Sequence, residues 1–247
     1  MRTTRTTRFG SLAAGLAALL LGLWAADPAS AGSGDDAVEP PRVRTALFVV
    51  AEGVYNSELM APYDVLQHSV FRDDRNYIET AVVSPDGGSV VTFEGITIEA
   101  HYGFDDAPRA DVLVIPSTSG SMDVDLANQA YMNWVRKAVR EAEWVITVCD
   151  GAFPLAATGA LDGRVATTYP GDRERLAEMF PQVDVRHDVR LVVDGKFITS
   201  VGGGMSYEPA FWLVEHLYGA EHVAATARGL VWPWNLSDVP HLIVDRR

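Results

Sequence analysis

From Thr45 onward, short apolar runs alternate with segments whose apolar residues recur at helical spacing. This rhythm predicts a mostly parallel sheet covered by helices. The runs Ala46–Ala51, Thr80–Ser84, Asp111–Pro116, Trp144–Val148 and Lys196–Ser200 read as strands. Helices fall between them at Leu59–Val70, Gln129–Ala142 and Ala152–Thr158, and a last one at Glu208–Tyr218 puts Phe211, Val214, Leu217 and Tyr218 on one face. Val90–Phe93 and Ile96–His101, joined through Glu94-Gly95, predict a small hairpin or an edge addition. No internal repeat and no second domain is visible.

The N-terminus follows a different pattern. Arg2, Arg5 and Arg8 precede the apolar run Leu12–Ala26, which ends in Pro28 and the triplet Ala29-Ser30-Ala31. This is the order of a secretory signal peptide cut between Ala31 and Gly32, and the run is short for a membrane span. The expected product is periplasmic or secreted, without a stable membrane anchor after cleavage. No cysteine for lipidation and no twin arginine is present. Residues 32–42 read as a flexible Gly-, Pro- and acid-rich leader, 43–230 as the folded domain and 231–247 as a C-terminal tail.

The chain has 247 residues and a formal net charge of −13, from 20 basic and 33 acidic side chains. Loss of residues 1–31 removes three arginines and Asp27, which takes the charge to −15. Phosphate backbones repel such a surface, so nucleic acid is not an expected partner. One cysteine excludes an intramolecular disulfide and a Cys-rich metal site. His68, His101, His187, His216, His222 and His241 show no HxxxH or HExxH spacing, and neither a metal nor a cofactor is expected. Gly202-Gly203-Gly204 lacks the Lys-Ser/Thr of a P-loop and reads as a tight turn that brings the last helix close to the site. Trp232-Pro233-Trp234 suits a pocket cover, a subunit interface or ordinary packing.

In open α/β sheets ligands sit at the carboxyl ends of the strands. Three loops fall there, Glu52–Glu58, Ser117–Met122 and Cys149-Asp150-Gly151. The last places the lone cysteine on a tight strand-to-helix turn, where Gly151 allows a close reversal and the following helix N-terminus favours a thiolate. Pro154 fits the first turn of that helix. The competing reading is a buried cysteine packed as a small hydrophobe.

Cys149-Asp150-Gly151-Ala152-Phe153, Leu155-Ala156, Gly159-Ala160-Leu161-Asp162-Gly163-Arg164 and Ala166-Thr167-Thr168 resemble the signature of the ThiJ/PfpI (DJ-one) superfamily. Gly53-Val54, Glu58-Leu59 and Pro62-Tyr63-Asp64-Val65-Leu66 resemble its opening strand, loop and helix, especially in the isocyanide hydratase branch. Asp105-Asp106-Ala107 with Ala110–Pro116 resembles the approach to its Gly-rich turn, and Thr199–Gly219 its last helix. The likeness runs from residue 45 to about 225. It implies a flavodoxin-like, class I glutamine amidotransferase-like three-layer sandwich with a nucleophile elbow, and a homodimer.

The resemblance implies Cys149 as the nucleophile, with the Glu58 carboxyl against its sulfur. Glu58 is alternatively an acid placed at a helix start for dipole reasons, and Glu52 is a second choice for its role. An implied oxyanion hole uses the backbone N–H groups of Thr118 and Asp150, although Ser117-Thr118 stands where the family has two glycines. Gly151 and Tyr169 line the implied site. Asp150 and Tyr169 occupy positions where family members often carry a histidine base, which disfavours a Cys-His-acid triad. The function implied is an exported cysteine-dependent hydratase or hydrolase acting on a small electrophile, an isocyanide or a carbonyl compound, through Cys149 and Glu58. The alternative is a redox-sensing or ligand-binding member without catalysis.

Overall fold

The protein is described by a computed structural model covering residues 41–246. The segment expected to be a signal peptide and nearly all of the expected leader lie outside the described residues. In chain order the elements are β1 (Arg44–Val49), α1 (Asn56–Gln67), β2 (Ile78–Val83), β3 (Val90–Val91), β4 (Thr97–Ile98), β5 (Val112–Ile115), α2 (Val124–Ala127) and α3 (Gln129–Glu141). The second half adds β6 (Trp144–Val148), α4 (Ala152–Ala157), β7 (Val165–Ala166), α5 (Arg173–Met179), β8 (Asp184–Val185), β9 (Leu191–Asp194), β10 (Phe197–Ser200), α6 (Glu208–Tyr218), α7 (Ala220–Gly229) and β11 (His241–Val244).

The apolar runs form one seven-stranded sheet in the order β11-β9-β10-β6-β5-β1-β2. From β10 to β2 every neighbouring pair is parallel, whereas β9 runs antiparallel to β10 and carries β11 parallel to itself. Parallel strands buried on both faces need continuous apolar runs, and β5 and β10 are buried at every position. Alternation along each strand then divides the core. Ala46, Phe48, Val114 and Ile146 pack under α1, α6 and α7, while Leu47, Val49, Leu113 and Val145 pack under α3, α4 and α5. The result is the three-layer α/β sandwich, with β4 and β3 forming a separate antiparallel hairpin around Gly95.

The helix assigned to Leu59–Val70 begins three residues earlier, at Asn56, which puts Glu58 in its first turn. Seven elements escaped the periodicity because they are short or weakly apolar: α2, α5, α7, β7, β8, β9 and β11. The domain boundary drawn at residue 230 is also corrected. The segment beyond it is no separate tail, since His241–Val244 pairs with Leu191–Asp194 as an edge strand and the described residues form one unit.

Of the three roles open to the Trp-Pro-Trp segment, the structure shows packing on α6. Trp232 stacks on Tyr207 at 4.6 Å, and Trp234 stacks on Phe211 at 5.3 Å while its Nε1 donates to Glu215 at 2.7 Å. Arg246 closes the strap on the buried carboxylate of Asp194, which also accepts from the Val165 N–H at 2.8 Å and from Arg164 at 3.1 Å. Trp234→Ala is expected to cost about 2 kcal/mol, less than a fully buried ring, and Trp234→Phe about 1 kcal/mol for the hydrogen bond alone. Urea denaturation of the three proteins checks both figures.

Candidate active site

The loops after β1, β5 and β6 meet at the carboxyl ends of the parallel strands. The first is tied to the second by the Tyr55 N–H donating to Ser117 O at 3.1 Å and the Ser119 N–H donating to Gly53 O at 3.0 Å. Gly53 has φ +76, and a Cβ there would lie 2.1 Å from Ser119 Oγ. The β3–β4 hairpin braces this loop from outside: Phe93 N–H donates to Val54 O at 3.0 Å, and the Phe93 ring lies 4.8 Å from that of Tyr55. Glu52 is spent on this bracing, accepting from the Val91 N–H at 3.2 Å, so it does not serve the sulfur. Glu58 does.

Cys149 adopts φ 55, the left-handed region that non-glycine residues enter only under constraint. Two glycines make the turn possible. A Cβ on Gly151 would meet Ile115 O at 2.0 Å, and one on Gly202 would meet Cys149 Cβ at 2.4 Å. The Thr168 hydroxyl lies 2.9 Å from Cys149 O and 2.9 Å from Asp150 Oδ1, which pins the turn from the far side. The thiol is only 7% exposed.

Glu58 is equally buried and held at both oxygens. The Ser117 N–H donates to Oε2 at 3.2 Å and the Gly203 N–H to Oε1 at 3.4 Å, and the carboxyl shares the cavity wall with the Cys149 thiol. The Gly202-Gly203-Gly204 turn therefore reaches the site as well as starting the last helix. Burial pushes Glu58 up to about 7 against the stabilising hydrogen bonds. Burial also drives the Cys149 thiol above its ordinary range, and the Glu58 and Asp150 carboxyls add to the rise, outweighing the Asp150 N–H that favours the thiolate. The thiolate expected from the helix N-terminus is thus corrected: α4 has only six residues, and two carboxyls face the sulfur. The thiol is the resting form, and above about pH 7 the Glu58–Cys149 pair holds one proton.

The oxyanion hole expected from Thr118 and Asp150 is not assembled. The Thr118 N–H donates to Ser121 Oγ at 2.9 Å and its hydroxyl to Asp125, so the turn's own side chains consume the group that glycines would leave free. The Asp150 N–H is directed at the sulfur. Cys149 opens into a cavity of about 380 Å³ lined by Tyr55, Glu58, Met122, Asp150, Tyr169, Asp172 and Gly203. Tyr169 lies at its rim, and Gly151 sits beneath the elbow rather than in the lining. Tyr55, Met122 and Asp172 carried no signal of their own in the sequence. No histidine, lysine or arginine lines this cavity. Among the described residues no cluster of three His, Cys, Asp or Glu is arranged to hold a metal ion.

Residues 44–216 match the DJ-1/PfpI family. The chain belongs to that family. It is 27% identical to the protein dj-1beta of Drosophila melanogaster over 78% of this chain and 99% of that one. The crystal structure of that relative superposes with a TM-score of 0.67 at 25% identity, covering 78% of this chain and all of the other. An isonitrile hydratase of Pseudomonas putida is 27% identical over 70% of this chain and 72% of its own, and the deglycase PH1704 of Pyrococcus horikoshii is 28% identical over 62% and 87%.

Because the native state holds the Glu58 proton up to about pH 7 while the unfolded chain releases it near 4.5, stability falls as pH rises between those values. The expected loss from this group is up to about 3 kcal/mol. Glu58→Gln removes that component and leaves the smaller fall contributed by Asp150, which burial also raises. Urea denaturation of both proteins at pH 4.5, 6 and 8 measures the difference.

Proposed function

We propose that the protein is a cysteine-dependent hydratase that adds water to a small electrophile with a reactive carbon, an isocyanide being the best-supported case. The observation that carries this reading is the Cys149 thiol sharing a cavity that no histidine lines with a Glu58 carboxyl that burial pushes up to about 7. A group of that pKa exchanges protons in both directions near neutral pH. The isonitrile hydratase among the relatives adds support, and the deglycase keeps carbonyl compounds within the substrate class.

Ionised Glu58 takes the thiol proton as sulfur attacks the terminal carbon of the isocyanide. Glu58 returns that proton to the same carbon, which gives a thioimidate, S–CH=N–R, on Cys149. Water then adds to the carbon, one of its protons passing through Glu58 to nitrogen. The carbon–sulfur bond breaks with the other proton returning to sulfur, and the product is an N-substituted formamide. The net change is one isocyanide plus one water. The proposal includes export, on the order of residues 1–31, and a homodimer.

Purified protein incubated with aliphatic and aromatic isocyanides is expected to yield formamides by NMR. Cys149→Ala is expected to abolish turnover, and Glu58→Gln to lower it by about 100-fold. The rate should climb with pH around a midpoint near 7 as Glu58 becomes a base. Formation of formamide by Cys149→Ala at the wild-type rate would end the reading.

A further inference from the structure

The floor of the cavity is arranged around a second pair of carboxyls. Asp150 follows the nucleophile directly and is buried, its Oδ1 accepting from the Thr168 hydroxyl at 2.9 Å, and it lines the Cys149 cavity together with Asp172. Asp172 arrives from the turn Tyr169-Pro170-Gly171-Asp172, closed by the Asp172 N–H donating to Tyr169 O at 3.0 Å. Gly171 lets that turn fold under the Tyr169 ring, where a Cβ would stand 2.9 Å from Cε1. Burial pushes the Asp150 carboxyl up to about 6, and the charge of the neighbouring Asp172 adds to the rise.

The basic residue next in sequence does not relieve this charge. Arg173 directs its guanidinium away, donating to His187 O at 2.6 Å, to Val189 O at 2.7 Å and to Thr167 Oγ1 at 3.2 Å. Thr168 adds a hydroxyl but no charge. The ionisable groups lining the cavity beside the thiol are therefore Glu58, Asp150 and Asp172, with the phenols of Tyr55 and Tyr169. Every formal charge the cavity can carry near neutral pH is negative.

We propose that Asp150 and Asp172 form a pair of acidic side chains that sets the charge preference of the Cys149 cavity, admitting uncharged or positively charged electrophiles and rejecting anionic ones. This rests on Cys149 being the reacting group. It narrows the substrate class: neutral isocyanides and aldehydes, or such compounds bearing an amine, reach the sulfur, whereas their carboxylate- or phosphate-bearing counterparts do not. Asp150 and Asp172 are specificity residues here, since they govern approach to the sulfur.

The test does not require turnover. Aminoethyl and sulfonatoethyl methanethiosulfonates are close in size, opposite in charge, and each leaves a mixed disulfide on a thiol, releasing methanesulfinate. The chain has one cysteine, so intact mass follows its modification without ambiguity. At pH 7.5 the ratio of cationic to anionic rates on the protein, divided by the same ratio for 2-mercaptoethanol, is expected to reach at least about tenfold and to shrink with added salt. Asp172→Asn and Asp150→Asn should each bring the normalised ratio down towards one. Asp172→Asn is the safer variant for folding because Asp172 lies at the cavity wall and only partly buried, and circular dichroism checks both. A normalised ratio near one in the wild type, a ratio unmoved in folded Asp172→Asn, or failure of both reagents to modify Cys149 would overturn the proposal. A strong charge preference without any formamide formation would overturn the hydratase reading alone, and formamide formation without a charge preference would overturn this one alone.

Discussion

The geometry of the site depends on one constrained residue, Cys149 held at φ 55 between the end of β6 and a short helix. Such a backbone costs about 1–3 kcal/mol in isolation and persists only where its surroundings leave no alternative. Here the surroundings come from separate stretches of chain. Gly151 fits against the Ile115 carbonyl, Gly202 against the cysteine Cβ, and Thr168 against the cysteine carbonyl. The strands that deliver the two glycine contacts, β5, β6 and β10, lie side by side in the sheet, so that part of the strain is borne by its buried centre. The side chain is thereby aimed out of the sheet at the first turn of α1, where Glu58 waits.

Electrostatics at this point runs opposite to the usual arrangement for a reactive cysteine. Instead of a cation that stabilises a thiolate, burial first and then two carboxyls facing the sulfur keep it protonated. A resting thiol is less exposed to oxidants, and its nucleophilicity is called up only when Glu58 accepts the proton during attack. Two backbone N–H groups on Glu58 hold its orientation while burial raises its affinity for the proton. The position of the carboxyl and its proton affinity are thus set by different parts of the fold.

The layer order was legible because parallel strands buried on both faces need apolar runs, which are unbroken at 46–51 and in β5 and interrupted in β6 and β10 only by buried Thr or Ser. The elbow was legible from an apolar strand meeting Cys149-Asp150-Gly151. Glu58 was legible through resemblance, and its hydrogen-bond partners Ser117 and Gly203, 59 and 145 residues away along the chain, were not. Thr118 misled because its N–H is captured three residues on by Ser121, a side-chain interaction that no backbone pattern announces. Asp172 was invisible for a similar reason: only the folded Tyr169–Asp172 turn carries it to Asp150. The edge strand β11, four residues long and downstream of a Trp-rich stretch, has too little length for its periodicity to stand out.

The shared proton between Glu58 and Cys149 is the claim on which the chemistry turns, and the single cysteine makes it directly observable. Protein labelled with [13Cβ]cysteine gives one resonance, whose shift reports the charge on sulfur as pH is raised from 5 to 10. The account predicts a small step near pH 7, as Glu58 ionises beside a sulfur that keeps its proton, and the thiolate transition only above the ordinary thiol value of about 8.5. A full thiolate shift already present at neutral pH, or no step near 7, would contradict it.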